Sequence, residues 1–261
     1  MARADGSGAV RLGRRRMCRL LALLPLALAA APAWAQGESW VVLSDIDFPP
    51  YNFTAEGRRT GLDTEIVEAV LARIGVTPQH RPLPWRRVQE SMEAGEGDMA
   101  FQFVGRPDRF ERFNVVGPIR QGVTVFAVRA DSDIRYERLE DLTGLRIGTS
   151  AGFTYTQAFD SAAFLTKEEA PHTEANLRKL AHGRVDAVIG DLTTIAWLLG
   201  QLDLRDRIKI LPRPHAEVPR YVLFPKSRTD RADRFAAALQ ALKDDGTLER
   251  IAARWLGGAK P

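Results

Sequence analysis

The stretch Gly183-Arg184-Val185-Asp186-Ala187-Val188-Ile189-Gly190-Asp191 decides the fold class. Residues 176–182 before it carry helical spacing, and Gly183 ends that helix. Residues 187–189 are a short apolar run, the mark of a buried strand. A second helix follows over 193–199. Helix, strand and helix in quick succession belong to an α/β sheet. Asp191 then stands at the carboxyl end of its strand, where open α/β sheets bind ligands.

The same rhythm extends in both directions. Strands are predicted at 40–43, 99–103, 123–128, 146–148, 208–210 and 221–224. Helices are predicted at 63–74, 85–94, 154–159, 232–242 and 248–255. In the first helix Ile66, Val67, Val70, Leu71 and Ile74 share one face, and Gly75 stops it. Asp63 is placed to cap its start. Two βα runs of similar size emerge without a low-complexity linker. The join near 118–123, containing Pro118 and Gly122, predicts a strand crossing between two lobes.

The 261 residues carry 37 Lys+Arg against 33 Asp+Glu, but the first 35 residues distort this balance. They hold Arg3, Arg11, Arg14, Arg15, Arg16 and Arg19 against Asp5 alone, and also Cys18. What remains is cysteine-free, with 31 basic and 32 acidic residues. That excludes thiol chemistry and leaves no electrostatic basis for nucleic-acid binding. Residues 1–35 read as a secretory signal. An arginine-rich start leads to a 12-residue apolar run over 20–31 and an Ala33-Trp34-Ala35 site, with cleavage before Gln36. The run is too short to span a bilayer and contains Pro25. Met17 offers an alternative start with a complete signal, and the paired arginines admit twin-arginine export beside the general route.

Catalytic and metal motifs fail. His80, His172, His182 and His215 are scattered without H-E-x-x-H spacing, and neither G-x-S-x-G nor a Walker loop is present. No metal and no cofactor is expected. The informative segments are Asp45-Ile46-Asp47-Phe48-Pro49-Pro50-Tyr51, Gly61-Leu62-Asp63-Thr64-Glu65, Pro84-Trp85-Arg86-Arg87, Gly95-Glu96-Gly97-Asp98, Arg106-Pro107-Asp108-Arg109, Asp141-Leu142-Thr143-Gly144, Gly152-Phe153-Thr154 and Asp245-Gly246-Thr247-Leu248. Each alone has a plain packing or turn reading.

In this order they resemble the family 3 extracellular solute-binding proteins, the polar-amino-acid receptors of ABC importers, over essentially the whole chain after the leader. The resemblance implies an α/β, two-lobed periplasmic-binding-protein-like (type II) fold with a mixed sheet and flanking helices in each lobe. Lobe 1 would comprise 36–120 and 220–261, and lobe 2 would comprise 121–219, joined by two strand crossings. It implies a periplasmic monomer, not an enzyme, that captures a small polar ligand, an amino acid or related carboxylate, for the membrane permease of an ABC importer.

The site residues follow from the same resemblance. Arg109 falls where an arginine holds the ligand carboxylate, a match of planar fork to carboxylate. Asp191 falls where an acid takes the α-ammonium. Phe48 and Trp85 fall where two rings sandwich the ligand side chain, and Asp45 where an acid reaches its polar end. Thr154 is expected to open a helix whose free N–H groups favour a carboxylate. Gln102 replaces a hydroxyl residue, as does Phe153. Arg106 adds a second cation, which admits a ligand with extra negative charge. An enzyme on the same fold, resembling exported cyclohexadienyl or arogenate dehydratases, would need a cleft acid such as Glu168 or Glu169. An exported sensor subunit is the third reading.

Overall fold

The computed structural model describes residues 37–257. The expected signal and its cleavage point lie outside them. The chain opens with β1 (Ser39–Asp45), the hairpin β2 (Phe53–Ala55) and β3 (Arg58–Thr60), and α1 (Leu62–Arg73). β4 (Thr77–Leu83), α2 (Trp85–Glu93), β5 (Met99–Val104), α3 (Pro107–Arg112) and the long β6 (Phe113–Arg129) follow. Next come β7 (Arg146–Ser150), α4 (Gln157–Ser161), β8 (Thr166–Ala170), α5 (Thr173–Ala181), β9 (Ala187–Asp191), α6 (Leu192–Gln201) and β10 (Ile208–Ile210). β11 (Ala216–Pro225), α7 (Thr229–Asp244) and α8 (Thr247–Leu256) close the described chain.

Period-two alternation sorts the strand residues onto two faces. In β1, β5 and β11, the residues Trp40, Val42, Phe101, Val222 and Phe224 join a core under α1, α7 and α8. Leu43, Ala100, Phe103 and Leu223 point the other way and meet Val88 and Met92 of α2. The second half repeats the scheme. Val125, Ala127 and Val188 pack under α5 and α6, whereas Phe126, Val128, Ile147 and Ile189 pack with Tyr136, Tyr155 and Phe159. Side chains such as Phe101 and Phe126 are fully buried, each stabilising by about 1.5–3 kcal/mol.

The sequence reading anticipates one mixed sheet per lobe. The backbone hydrogen bonds instead run through a single path, β4-β1-β5-β11-β6-β9-β7-β8, with β10 added on β6. The reason lies in β6 and β11, which are long enough to belong to both halves. β6 contributes Val116 and Ile119 to one core and Val125 to another. The antiparallel register between β6 and β11 shifts between Arg220 and Val222, opposite the segment holding Gly117 and Pro118. A bulge thus absorbs residues that read as a break.

Two local expectations are corrected. Asp63 does not cap α1: Gly61 is the N-cap, and the first helical N–H groups donate to the Pro50 and Tyr51 carbonyls. Thr154 opens no helix, because α4 begins at Gln157 and is capped by Thr156.

Candidate ligand-binding cleft

All seven candidate residues, Asp45, Phe48, Trp85, Gln102, Arg109, Thr154 and Asp191, line one cavity. They arrive from both halves of the sheet. Asp45 ends β1, Trp85 starts α2, Gln102 lies in β5, Arg109 in α3, and Asp191 ends β9. The space between them is small, about 30 Å³, which holds only a few waters at most.

Phe153 accounts for that tightness. Its ring lies 5.7 Å from Phe48 and 6.1 Å from Trp85, edge-on to both. The two rings expected to hold a ligand side chain hold Phe153 instead. Neighbouring links reinforce it. Gln89 Nε2 donates to the Gly152 carbonyl at 3.0 Å, and Arg86 pairs with Glu169 at 2.8 Å.

Arg109 is 8% exposed and makes no ion pair among the described residues. Its Nη1 donates to the Val104 carbonyl at 2.8 Å. Its Nη2 reaches Gln89 Oε1 at 3.3 Å and Thr154 Oγ1 at 3.5 Å. Burial, and then the charge of Arg106, push the guanidinium down to about 10. Asp108 and Asp160 oppose that effect through space, and the guanidinium remains cationic at neutral pH on the cavity wall.

Asp191 is more heavily engaged. It caps α6, with Oδ1 accepting from the Thr193 and Thr194 N–H groups at 3.0 and 3.2 Å and from the Tyr51 hydroxyl at 2.9 Å. Its Oδ2 lies 3.7 Å from Arg120 Nη1 and 4.0 Å from Arg220 Nη2. Arg120 also pairs with the fully buried Asp63 at 2.7 Å and lies over the Tyr51 ring, 3.4 Å from its centroid. Burial pushes the Asp63 carboxyl up, opposed by Arg120. Gly122 lets this cluster form, because a Cβ there would sit 3.1 Å from both Arg120 Nη1 and Asp191 Oδ2.

Asp45 and Gln102 close the remaining wall. Burial pushes the Asp45 carboxyl up to about 7, against the N–H groups of Ile46 and Asp47. Gln102 adopts φ 78, a conformation that costs a non-glycine residue free energy and clusters at functional sites. Its Nε2 donates to Asp63 Oδ2 at 3.3 Å.

Other expectations fall away from the cavity. Arg106 is not among its lining residues; it pairs with Asp108 at 2.9 Å, its side chain half-exposed. The second cavity cation is Arg220, which sequence reasoning missed. Its signal is register alone: it is the cross-strand partner of Arg120. Glu168 pairs with Lys179 and Glu169 with Arg86, so neither acid lines the cavity.

With this geometry in place, residues 40–258 match the bacterial extracellular solute-binding proteins, family 3. The chain belongs to that family. Among relatives of this family 3 protein, the probable amino-acid-binding protein YxeM of Bacillus subtilis strain 168 is 25% identical over 215 residues, covering 79% of each chain. An ancestral arginine-binding protein bound to glutamine superposes with a TM-score of 0.75 at 24% identity, covering 84% of this chain and 98% of its own. A histidine kinase sensor domain with similarity to periplasmic binding proteins gives 0.79 at 22% identity, covering 85% and 97%. At these identities the two structures show the periplasmic-binding-protein type II fold alone.

Proposed function

We propose that this family 3 protein is an exported, monomeric receptor, not an enzyme. It captures a small polar carboxylate-bearing ligand between two lobes, 36–120 with 220–261 and 121–219. It presents that ligand in the periplasm to the membrane permease of an ABC importer. The observation that carries this reading is Arg109: a buried guanidinium that makes no ion pair among the described residues, on the wall of a cavity built from both halves. A desolvated cation of this kind matches a carboxylate that enters with the ligand. The relatives' names as binding proteins support the same reading.

One observation favours catalysis as a second reading. Asp45 is a buried cleft acid pushed up to about 7, the property a dehydratase acid needs. An assay for phenylpyruvate formation tests it, and the receptor reading predicts no turnover. The receptor reading itself is tested by mass spectrometry of protein prepared from a periplasmic fraction. The expected result is a co-purifying small molecule with at least one carboxylate, released on unfolding. A co-purifying ligand without a carboxylate contradicts it.

A further inference from the structure

Resting on the receptor reading, we infer that the ligand is a small organic acid without an ammonium group, its carboxylate held by Arg109 and its second, oxygen-bearing end by Arg220. Asp191, the acid that an amino acid's ammonium would need, is already engaged. Its Oδ1 already accepts from Tyr51, Thr193 and Thr194. Its Oδ2 already faces two guanidinium groups, Arg120 at 3.7 Å and Arg220 at 4.0 Å. An ammonium arriving there would meet both positive charges in a buried setting, where like charges are least screened.

The unpartnered atoms point the same way. Among the described residues, Arg220 Nε on the cavity-lining Arg220 is buried without a hydrogen-bond partner, as are Arg120 Nη1 and Nη2 behind it, against two unpartnered oxygens able to accept, Asp191 Oδ2 and the Thr194 hydroxyl. The surplus is in donors. An ammonium brings donors and no acceptor, whereas a carboxylate, keto or hydroxyl oxygen brings acceptors. Arg220 lines the cavity with Arg109, so two cations face the ligand. The remaining wall acid, Asp45, is pushed toward its protonated form by burial, opposed by the N–H groups of Ile46 and Asp47 and by Arg59, with the Asp47 charge adding to the burial effect. A protonated carboxyl donates to an acid ligand rather than attracting an amine.

The test is calorimetric titration of the full mature chain with matched pairs that differ at the amino group: succinate against aspartate, and 2-oxoglutarate against glutamate. The expected result is that at least one amine-free acid binds, tenfold or more tighter than its amino partner. Arg220→Gln should weaken that acid tenfold or more, and Arg220→Lys should retain the preference, which guards against a folding defect in the first variant. An amino member binding as tightly as its amine-free partner overturns the inference, as does silence from both amine-free acids. If an amino acid binds and Arg109→Ala abolishes it, this inference fails and the cleft reading stands. If an acid binds and Arg109→Ala leaves its affinity unchanged, the cleft reading fails with it.

Discussion

The Tyr51 hydroxyl donates to Asp191 Oδ1 at 2.9 Å, across 140 positions of sequence. Tyr51 comes from the loop after β1 and Asp191 from the end of β9, so the bond ties the halves together behind the cleft. Burial raises the Tyr51 hydroxyl above its ordinary pKa and keeps it a donor. Tyr51→Phe removes a buried hydrogen bond to a charged acceptor, worth about 1.5–3 kcal/mol. The urea midpoint should fall accordingly, and an unchanged midpoint would show that the bond contributes nothing.

The pair of Asp63 and Arg120 is fully desolvated, with side chains 0% and 7% exposed. Arg120→Met strands Asp63 as a buried, uncompensated acid and should cost about 3–5 kcal/mol. Replacing both, as Asp63→Leu with Arg120→Met, should recover much of that loss. A double-mutant cycle from denaturant unfolding reads the coupling, and strictly additive losses contradict it.

Asp45 makes stability depend on pH. Burial pushes its carboxyl up to about 7, from the ordinary aspartate value of 3.8. The stabilisation from its bound proton is therefore fully present below about 4 and lost as pH rises through 7. At pH 8 the wild type carries a buried carboxylate that Asp45→Asn lacks, a difference of at most about 4 kcal/mol. The variant should melt above wild type at pH 8, with the gap closing toward pH 5. A gap that widens on acidification contradicts the assignment.

Phe153 occupies the space between Phe48 and Trp85 and is only half-buried. Phe153→Ala should therefore cost less than the ~3–5 kcal/mol of a fully buried phenylalanine, while enlarging the cleft. The variant should accept longer ligands than wild type in a thermal-shift series of graded chain length. An unchanged size limit would mean that Phe153 does not gate the cavity.

Much of this architecture is legible in the sequence because buried strands and glycine stops carry local signals. The strand ending at Asp191 is one such case, with an apolar run at its centre. β4 escaped notice because Thr77-Pro78-Gln79-His80-Arg81-Pro82-Leu83 contains two prolines and is largely polar. It lies at the edge of the sheet, where prolines are tolerated. β8, at the opposite edge, reads Thr166-Lys167-Glu168-Glu169-Ala170 and is disguised by its charged, polar composition.

The seven candidate residues converge because the family pattern encodes strand ends and helix starts, which the parallel strands within each half of the mixed sheet gather at one rim. Arg120 and Arg220 have no such local mark. Their meeting depends on the pairing of β6 with β11, a long-range register that no short motif contains. The aromatic plug was hidden for a similar reason: Phe153 reads as a lost hydroxyl until the packing of both halves surrounds it.

The proposal gives Arg109 the role of anchoring the ligand's carboxylate in the cleft. It is tested most directly by titrating wild type and Arg109→Ala with the small molecule that co-purifies with the wild-type protein. Removing the cation leaves a buried, unpaired carboxylate, at a cost of about 3–5 kcal/mol. Kd should rise by about two to four orders of magnitude while the circular-dichroism spectrum is unchanged. Equal affinity in the two proteins, with both folded, would contradict it.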